Sequence, residues 1–275
     1  MGDFSLVGGA SDCLEAGFDY SNTRGTAVTT GGSVNTTGSY VELLSAANNN
    51  RPITGVYIVI SPAGGQGDLM FNLALGASGS EVDVISNIFV PDTNSLVGKS
   101  NHTFHFPVCL PAGERISINA QGEASSTNYV HLQLVRGNIN DVVQCGAVDT
   151  IGADTATTDG VTVSAAGTVN TFGSWTEIVA STTEAYRGFV VATHKISGSM
   201  TTMHETYQIA VGSAGNEEII YSGALVGPGD NERVVGTPSP FIPVGIPEGA
   251  RVSARVQADS TDADANLDFI IYGVR

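Results

Sequence analysis

Gly31-Gly32-Ser33-Val34-Asn35-Thr36-Thr37-Gly38-Ser39-Tyr40-Val41-Glu42-Leu43-Leu44 returns without a gap as Ala166-Gly167-Thr168-Val169-Asn170-Thr171-Phe172-Gly173-Ser174-Trp175-Thr176-Glu177-Ile178-Val179, with seven of the fourteen positions identical. Further blocks follow at nearly the same offset. Leu73–Glu81 is answered by Ile209–Glu217, and Pro107-Val108-Cys109-Leu110-Pro111-Ala112-Gly113-Glu114-Arg115-Ile116-Ser117 by Pro243-Val244-Gly245-Ile246-Pro247-Glu248-Gly249-Ala250-Arg251-Val252-Ser253. A self-similarity of about 135 residues is domain-sized, so it reads as one internal duplication and not as a many-unit solenoid. The boundary is expected near residues 138–145. It divides the chain into a first repeat over 1–140, which includes a short N-terminal arm, and a second over 141–275.

Each copy is patterned as strands. Arg115-Ile116-Ser117-Ile118-Asn119-Ala120-Gln121 alternates polar with apolar, and Arg251-Val252-Ser253-Ala254-Arg255-Val256-Gln257 repeats the alternation in register. Eight β-rich runs per copy are predicted, near 26–30, 39–46, 54–61, 67–75, 80–90, 101–110, 114–121 and 128–136 in the first, separated by Gly, Asn, Ser or Pro clusters. Leu110-Pro111-Ala112-Gly113 and Ile246-Pro247-Glu248-Gly249 suit a type I turn feeding the alternating strand. No segment carries a sustained helical stripe. The fold class expected is all-β, two tandem jelly-roll-like antiparallel β-sandwiches arising from the duplication.

Composition narrows the function. The 275 residues hold 27 Asp and Glu against 11 Lys and Arg, a net charge of −16. That balance disfavours nucleic acid or an anionic membrane as partner, because phosphates are held by clustered Lys and Arg. The start, Met1-Gly2-Asp3-Phe4, has no basic or apolar signal-peptide pattern, and no apolar run is long enough for a membrane-spanning helix. Cys13, Cys109 and Cys145 are odd in number and unpatterned in spacing, so reduced, buried thiols are expected.

The search for chemistry finds little that recurs. There is no Gly-x-Ser-x-Gly elbow, no Walker loop after Gly64-Gly65-Gln66-Gly67 and no His-Glu-x-x-His. His102 and His105 stand three apart on a predicted strand and should face opposite ways. His194, His204 and Glu205 gather in the second copy only, since His204 aligns with Asp68. Asp259, Asp262, Asp264 and Asp268 crowd one stretch, but Leu267 and Gly273 stand where a calcium loop needs Gly and Glu, so a solvated acidic loop is expected. No cofactor and no catalytic residue is assigned.

Two repeated sets remain as candidate sites. Glu42/Glu177, Arg115/Arg251 and Gln121/Gln257 are candidates for a subunit or inter-domain interface, against cross-strand surface pairing within each copy. Tyr40 and Trp175 occupy equivalent positions and are candidates for a ligand platform, against rings that merely cover the end of their own sandwich.

The segment Phe241-Ile242-Pro243-Val244-Gly245-Ile246-Pro247-Glu248-Gly249-Ala250-Arg251-Val252-Ser253-Ala254-Arg255-Val256-Gln257 resembles segments of virion structural proteins of tailed bacteriophages, and the first copy carries a weaker version with Asn119 in place of Arg255. The resemblance implies a non-enzymatic β-sandwich subunit on the virion surface, assembled in the host cytoplasm. Such a subunit decorates or cements the capsid or attaches to the tail. Its implied partners are further copies of itself, with a trimer favoured, and the major capsid or tail proteins. The alternatives are a carbohydrate- or receptor-binding jelly-roll adhesin and the major capsid protein of a double-jelly-roll virus.

Overall fold

The computed structural model describes residues 12–18, 21, 25–62, 67–91, 101–137, 147–195, 204–226, 238–259 and 266–275. The expected boundary at 138–145 and the N-terminal arm lie outside them. Among the described residues the chain is all-β, built of antiparallel strands with no helix.

All eight runs predicted in the first half are strands. They are β2 (Thr26–Thr29), β3 (Val41–Leu44), β4 (Ile53–Ser61), β5 (Leu69–Leu75), β6 (Val82–Val90), β7 (His102–Phe106), β8 (Ile116–Gly122) and β9 (Thr127–Arg136), preceded by β1 (Asp12–Ala16). β1 and β2 pair with successive stretches of β9, so they act as one strand interrupted by an excursion. One sheet runs β1/β2, β9, β4, β7 and the other β3, β8, β5, β6. Two four-stranded sheets whose neighbours are non-consecutive in this way form a jelly roll.

The second half repeats the order with β10 (Val148–Ile151), β11 (Val161–Ser164), β12 (Thr176–Val179), β13 (Gly188–Lys195), β14 (His204–Val211), β15 (Glu218–Val226), β16 (Val252–Ala258) and β17 (Asn266–Val274). Its sheets run β10/β11, β17, β13 and β12, β16, β14, β15. Where the first half has β7, the described residues of the second show the bridges Phe189–Ile242 and Tyr186–Ile246. Even local irregularities correspond. Glu42 faces Ser117 and Glu177 faces Ser253, each followed by a register shift. The predicted turns place Gly113 and Gly249 at φ of +83° and +75°, a region open to glycine.

The excursion between paired strands is framed by glycines for a steric reason. A Cβ on Gly25 or Gly160 would sit 2.7 Å from the carbonyl oxygen of Val130 or Phe269, on the neighbouring strand, so only glycine lets the chain re-enter the sheet. Among the described residues every strand pairing stays within one half. The halves are joined by packing instead.

That packing gives β17 two cores. Leu267, Phe269 and Ile271 point into the second sandwich, while Ile270, Tyr272 and Val274 belong to the core of the first. β13 divides likewise, with Phe189 and Val191 on one side and Val190 and Ala192 on the other. A strand side chain alternates by face, so one sheet serves both cores only if both of its faces are apolar, as these are.

Candidate functional site

The junction between the sandwiches is the most elaborate assembly of polar and aromatic side chains in the described chain. Tyr272 is fully buried and reaches between β6 and β7. Its hydroxyl accepts from the Phe89 N–H at 2.7 Å and donates to the Asn87 carbonyl at 2.9 Å. Its ring meets Phe104 and Phe106 edge-on at 6.1 and 5.4 Å between centroids, the geometry aromatic quadrupoles prefer. Burial raises its phenol pKa, so the group stays a neutral donor. Around it, Arg187 donates to the Pro107 carbonyl at 2.6 Å and Thr150 to the Ser86 carbonyl.

A second contact joins the halves farther along. The turn after β10 lays its Thr155, Ala156 and Thr158 on Asn35 and Gln121 of the first sandwich. Among the described residues, Gln121 is the one of the six interface candidates that bonds across to the other half, and this turn buries it.

Arg115 and Arg251 bind inside their own sandwiches, the cross-strand pairing that stood against an inter-domain contact. Arg115 bonds Glu42 at 2.8 Å and Glu81 at 2.9 Å; Arg251 bonds Glu177 at 2.8 Å and Glu217 at 3.2 Å. The physical reason is reach. Each arginine opens its strand beside the tight turn joining the two strands that follow β4 or β13, where Glu81 or Glu217 already accepts from the N–H of Gly79 or Gly215. The Glu81 carboxyl is held below its usual pKa by its own backbone N–H and by Arg115. At Glu217, burial pushes upward, and backbone N–H groups together with Arg251 outweigh it.

These clamps give an ordered prediction. Glu81 and Glu217 side chains are 8% and 7% exposed, whereas Glu42 and Glu177 are both 48% exposed. Glu81→Ala or Glu217→Ala is expected to lower the urea midpoint measurably, because each leaves an arginine and a turn N–H without their charged partner. Glu42→Ala or Glu177→Ala should cost less than about 0.5 kcal/mol, as for solvent-screened pairs.

Tyr40 and Trp175 do hold equivalent places ahead of β3 and β12, but neither is a free platform. Tyr40 donates to Asp83, and burial followed by that carboxylate raises its pKa. Trp175 is stacked by the Arg255 guanidinium at 4.3 Å, which also lies 4.5 Å from Phe172 and donates to Gln208. A cation over the ring occupies one face a sugar would use.

The histidines behave as the alternation requires. His102 faces the core and is 1% exposed, with its pKa lowered to about 4 by burial. His105 faces outward and stacks on Tyr57 at 4.2 Å. His204 and Glu205 also face opposite ways, so His204 and Glu205 do not converge. The cysteines differ from expectation: Cys13 is exposed on the edge strand β1, and Cys109 is disulfide-bonded.

The acidic stretch is also corrected. Asp262 and Asp264 lie outside the described residues, but Asp268 is not a solvated loop residue: it sits in β17, buried. Its oxygens lie with those of Asp68 and Asp159 within 4.8 Å of one another, across the junction. An all-oxygen set of this kind has the donor chemistry of a hard divalent cation. Burial, eased by a bond from Thr162 and added to by the charge of Asp159, raises the Asp268 pKa to about 7. Single-sequence reading missed the trio because its members come from β17, the excursion and the start of β5. A cleft of about 700 Å³ follows the junction elsewhere, and its acids are engaged, Asp83 with Tyr40 and Asp149 with Arg275.

No family model and no curated protein matches the chain. Among solved structures it is similar to recombinant N-glycanase F, with a TM-score of 0.33 and 10% identity over 90% of this chain and 95% of that one. It is similar to the atomic structure of Sulfolobus Turreted Icosahedral Virus at a TM-score of 0.24 and 10% identity, over 90% of this chain and 58% of that one. The tandem CBM22 domains of Paenibacillus barcinonensis Xyn10C give 0.27 and 10% identity, over 97% and 99%. Scores of this size carry no argument about activity.

Proposed function

We propose that the chain is a non-enzymatic virion structural protein, a surface subunit that decorates or cements a tailed-phage capsid or sits on its tail. The observation that carries the reading is the sheet shared by two cores. It fixes the spacing between two similar sandwiches, and a fixed spacing is what lets a two-lobed subunit gain from simultaneous contacts on a lattice. A flexibly linked pair would dilute the second contact with every added conformer. What the halves have in common supports the same role: strand order, bulges, turns and arginine clamps. The acidic surface suits contact with protein and not with packaged nucleic acid.

A second reading is the major capsid protein of a double-jelly-roll virus, favoured by the presence of both jelly-roll sheets in each half of one chain. A carbohydrate-binding adhesin fits less well, given the arginine stacked on Trp175. Counting copies per purified particle by quantitative mass spectrometry separates these. Hundreds alongside a distinct, more abundant shell protein support decoration, six or twelve support a tail position, and this chain as the most abundant shell component supports the second reading. Absence from purified particles would remove all virion readings.

A further inference from the structure

The contact of the second half's excursion with the first sandwich is a turn seated on a face of two side-chain amides. Asn35 donates from Nδ2 to the Ala156 carbonyl at 2.7 Å and accepts at Oδ1 from the Thr158 hydroxyl at 2.7 Å. Gln121 donates from Nε2 to the Thr155 carbonyl at 2.6 Å and to the Thr158 hydroxyl at 2.9 Å. Two side-chain amides thus read a short stretch of backbone and one threonine.

The amide face exists twice. Asn170 stands where Asn35 does, at φ of +53° against +55°, an unusual conformation for a residue with a side chain. The Asn35 N–H donates to Gly122 and the Asn170 N–H to Ala258; Gly38 donates to Ala120 and Gly173 to Val256. Gln257 occupies the register position of Gln121. The two faces have one backbone shape and the same pair of amides. They differ in cover: Asn35 is partly buried and Gln121 is buried, but Asn170 is exposed and Gln257 partly exposed, and among the described residues neither amide of the second face has a side-chain hydrogen bond. Val169 beside Asn170 is 42% exposed.

The excursion also has a counterpart in the sequence of the first half. Counted from Gly17/Gly152 to Gly25/Gly160, both excursions have the same length, and Asp19 and Thr23 stand where Asp154 and Thr158 stand. Asp19 and Thr23 lie outside the described residues, so their part here is one of sequence alone. The second face thus keeps the backbone shape and the two amides of the first without a covering turn among the described residues, so it offers a partner of the same chemistry the same contact.

We propose that the Asn170/Gln257 face docks a second copy of this chain, which presents its first sandwich as the second sandwich presents itself to Asn35 and Gln121 within one chain. The contact is head-to-tail, and such heterologous contacts close into rings or extend as filaments. A closed ring then alternates first and second sandwiches, repeating the excursion contact at each intermolecular junction but not the apolar packing that β17 and β13 give the internal one. The inference deepens the multivalent reading by naming the partner surface. It is tested on the purified chain alone, so it can fail while the virion role stands, and the reverse.

The test compares the unaltered chain with Asn170→Ala/Gln257→Ala by analytical ultracentrifugation from 1 to 100 µM, with hydrogen exchange followed at residues 166–175 and 254–258. The unaltered chain is expected to sediment above its 28.3 kDa monomer mass, and the double variant to shift at least tenfold toward monomer at the same concentration. Extrapolated to low concentration, where both are monomeric, the variant's melting temperature should equal that of the unaltered chain, because Asn170 is exposed and Gln257 partly exposed. Exchange at Asn170 and its neighbours in the unaltered protein should slow as concentration rises. Monomeric behaviour of the unaltered chain throughout, or an oligomer indifferent to both substitutions and to concentration at this face, overturns the proposal. If the double variant does not fold, the exchange experiment on the unaltered chain decides alone.

Discussion

Tyr272→Ala is expected to lower the unfolding free energy by about 3–5 kcal/mol, the range for truncating a large buried aromatic. It should also separate what is otherwise one calorimetric transition into two. The ring is shared between β17 and the core of the first sandwich, so its removal opens a cavity at the junction while leaving the second core, with Phe269 and Ile271, filled. Tyr272→Phe keeps the packing and loses the hydrogen bonds to Phe89 and Asn87, and should cost about 1–2 kcal/mol without splitting the transition. A single transition shifted as a whole by the alanine variant would mean that other contacts couple the halves. Two transitions in the unaltered protein would mean that they were never coupled.

Asp268→Asn is expected to flatten the pH dependence of stability. The folded pKa of Asp268 is raised to about 7 from an ordinary value of 3.8. The folded state therefore binds the proton more tightly than the unfolded chain. Its stabilising contribution is complete below about pH 4 and is lost as pH rises to about 7, a change on the order of 4 kcal/mol. Asparagine keeps a neutral group at all these pH values, so the variant should match the unaltered protein near pH 4 and exceed it at pH 8. His102 acts in the opposite sense: its pKa is lowered to about 4, so stability is lost as pH falls from about 6.5 toward 4. The difference between variant and unaltered protein isolates Asp268, because His102 is common to both. Measurements in EDTA and in millimolar calcium then separate carboxylate repulsion from cation binding at Asp68, Asp159 and Asp268. Calcium that stabilises the unaltered protein at pH 8 but not the variant identifies a filled site.

The architecture was legible in the sequence because a jelly roll is specified locally. Alternation in Arg115–Gln121 and Arg251–Gln257 gave the strands, and Gly113 and Gly249 gave the turns. The junction was missed, although the sequence holds a sign of it. β9 reads Asn128-Tyr129-Val130-His131-Leu132-Gln133-Leu134, alternating, with one face toward solvent. Its counterpart reads Phe269-Ile270-Ile271-Tyr272 without alternation, and Phe189-Val190-Val191-Ala192 beside it does the same. Unbroken apolar runs at positions where the first copy alternates mark a sheet buried on both faces. The partners of Arg115 were harder, since Glu42 and Glu81 are equally repeated and only the fold shows that one side chain reaches both. Asp268 was misread for a related reason. Its acidic neighbours in sequence suggested a loop, while its place in β17 turns it inward.

The central claim is that this chain is a rigid two-sandwich part of a particle surface. A cryo-EM map of virions from the source that encodes it tests this most directly. The account predicts a two-lobed density on the outside of the particle, into which both sandwiches fit as one body with Tyr272 at their junction. Particles without this density, or density for one lobe only at each position, would contradict it.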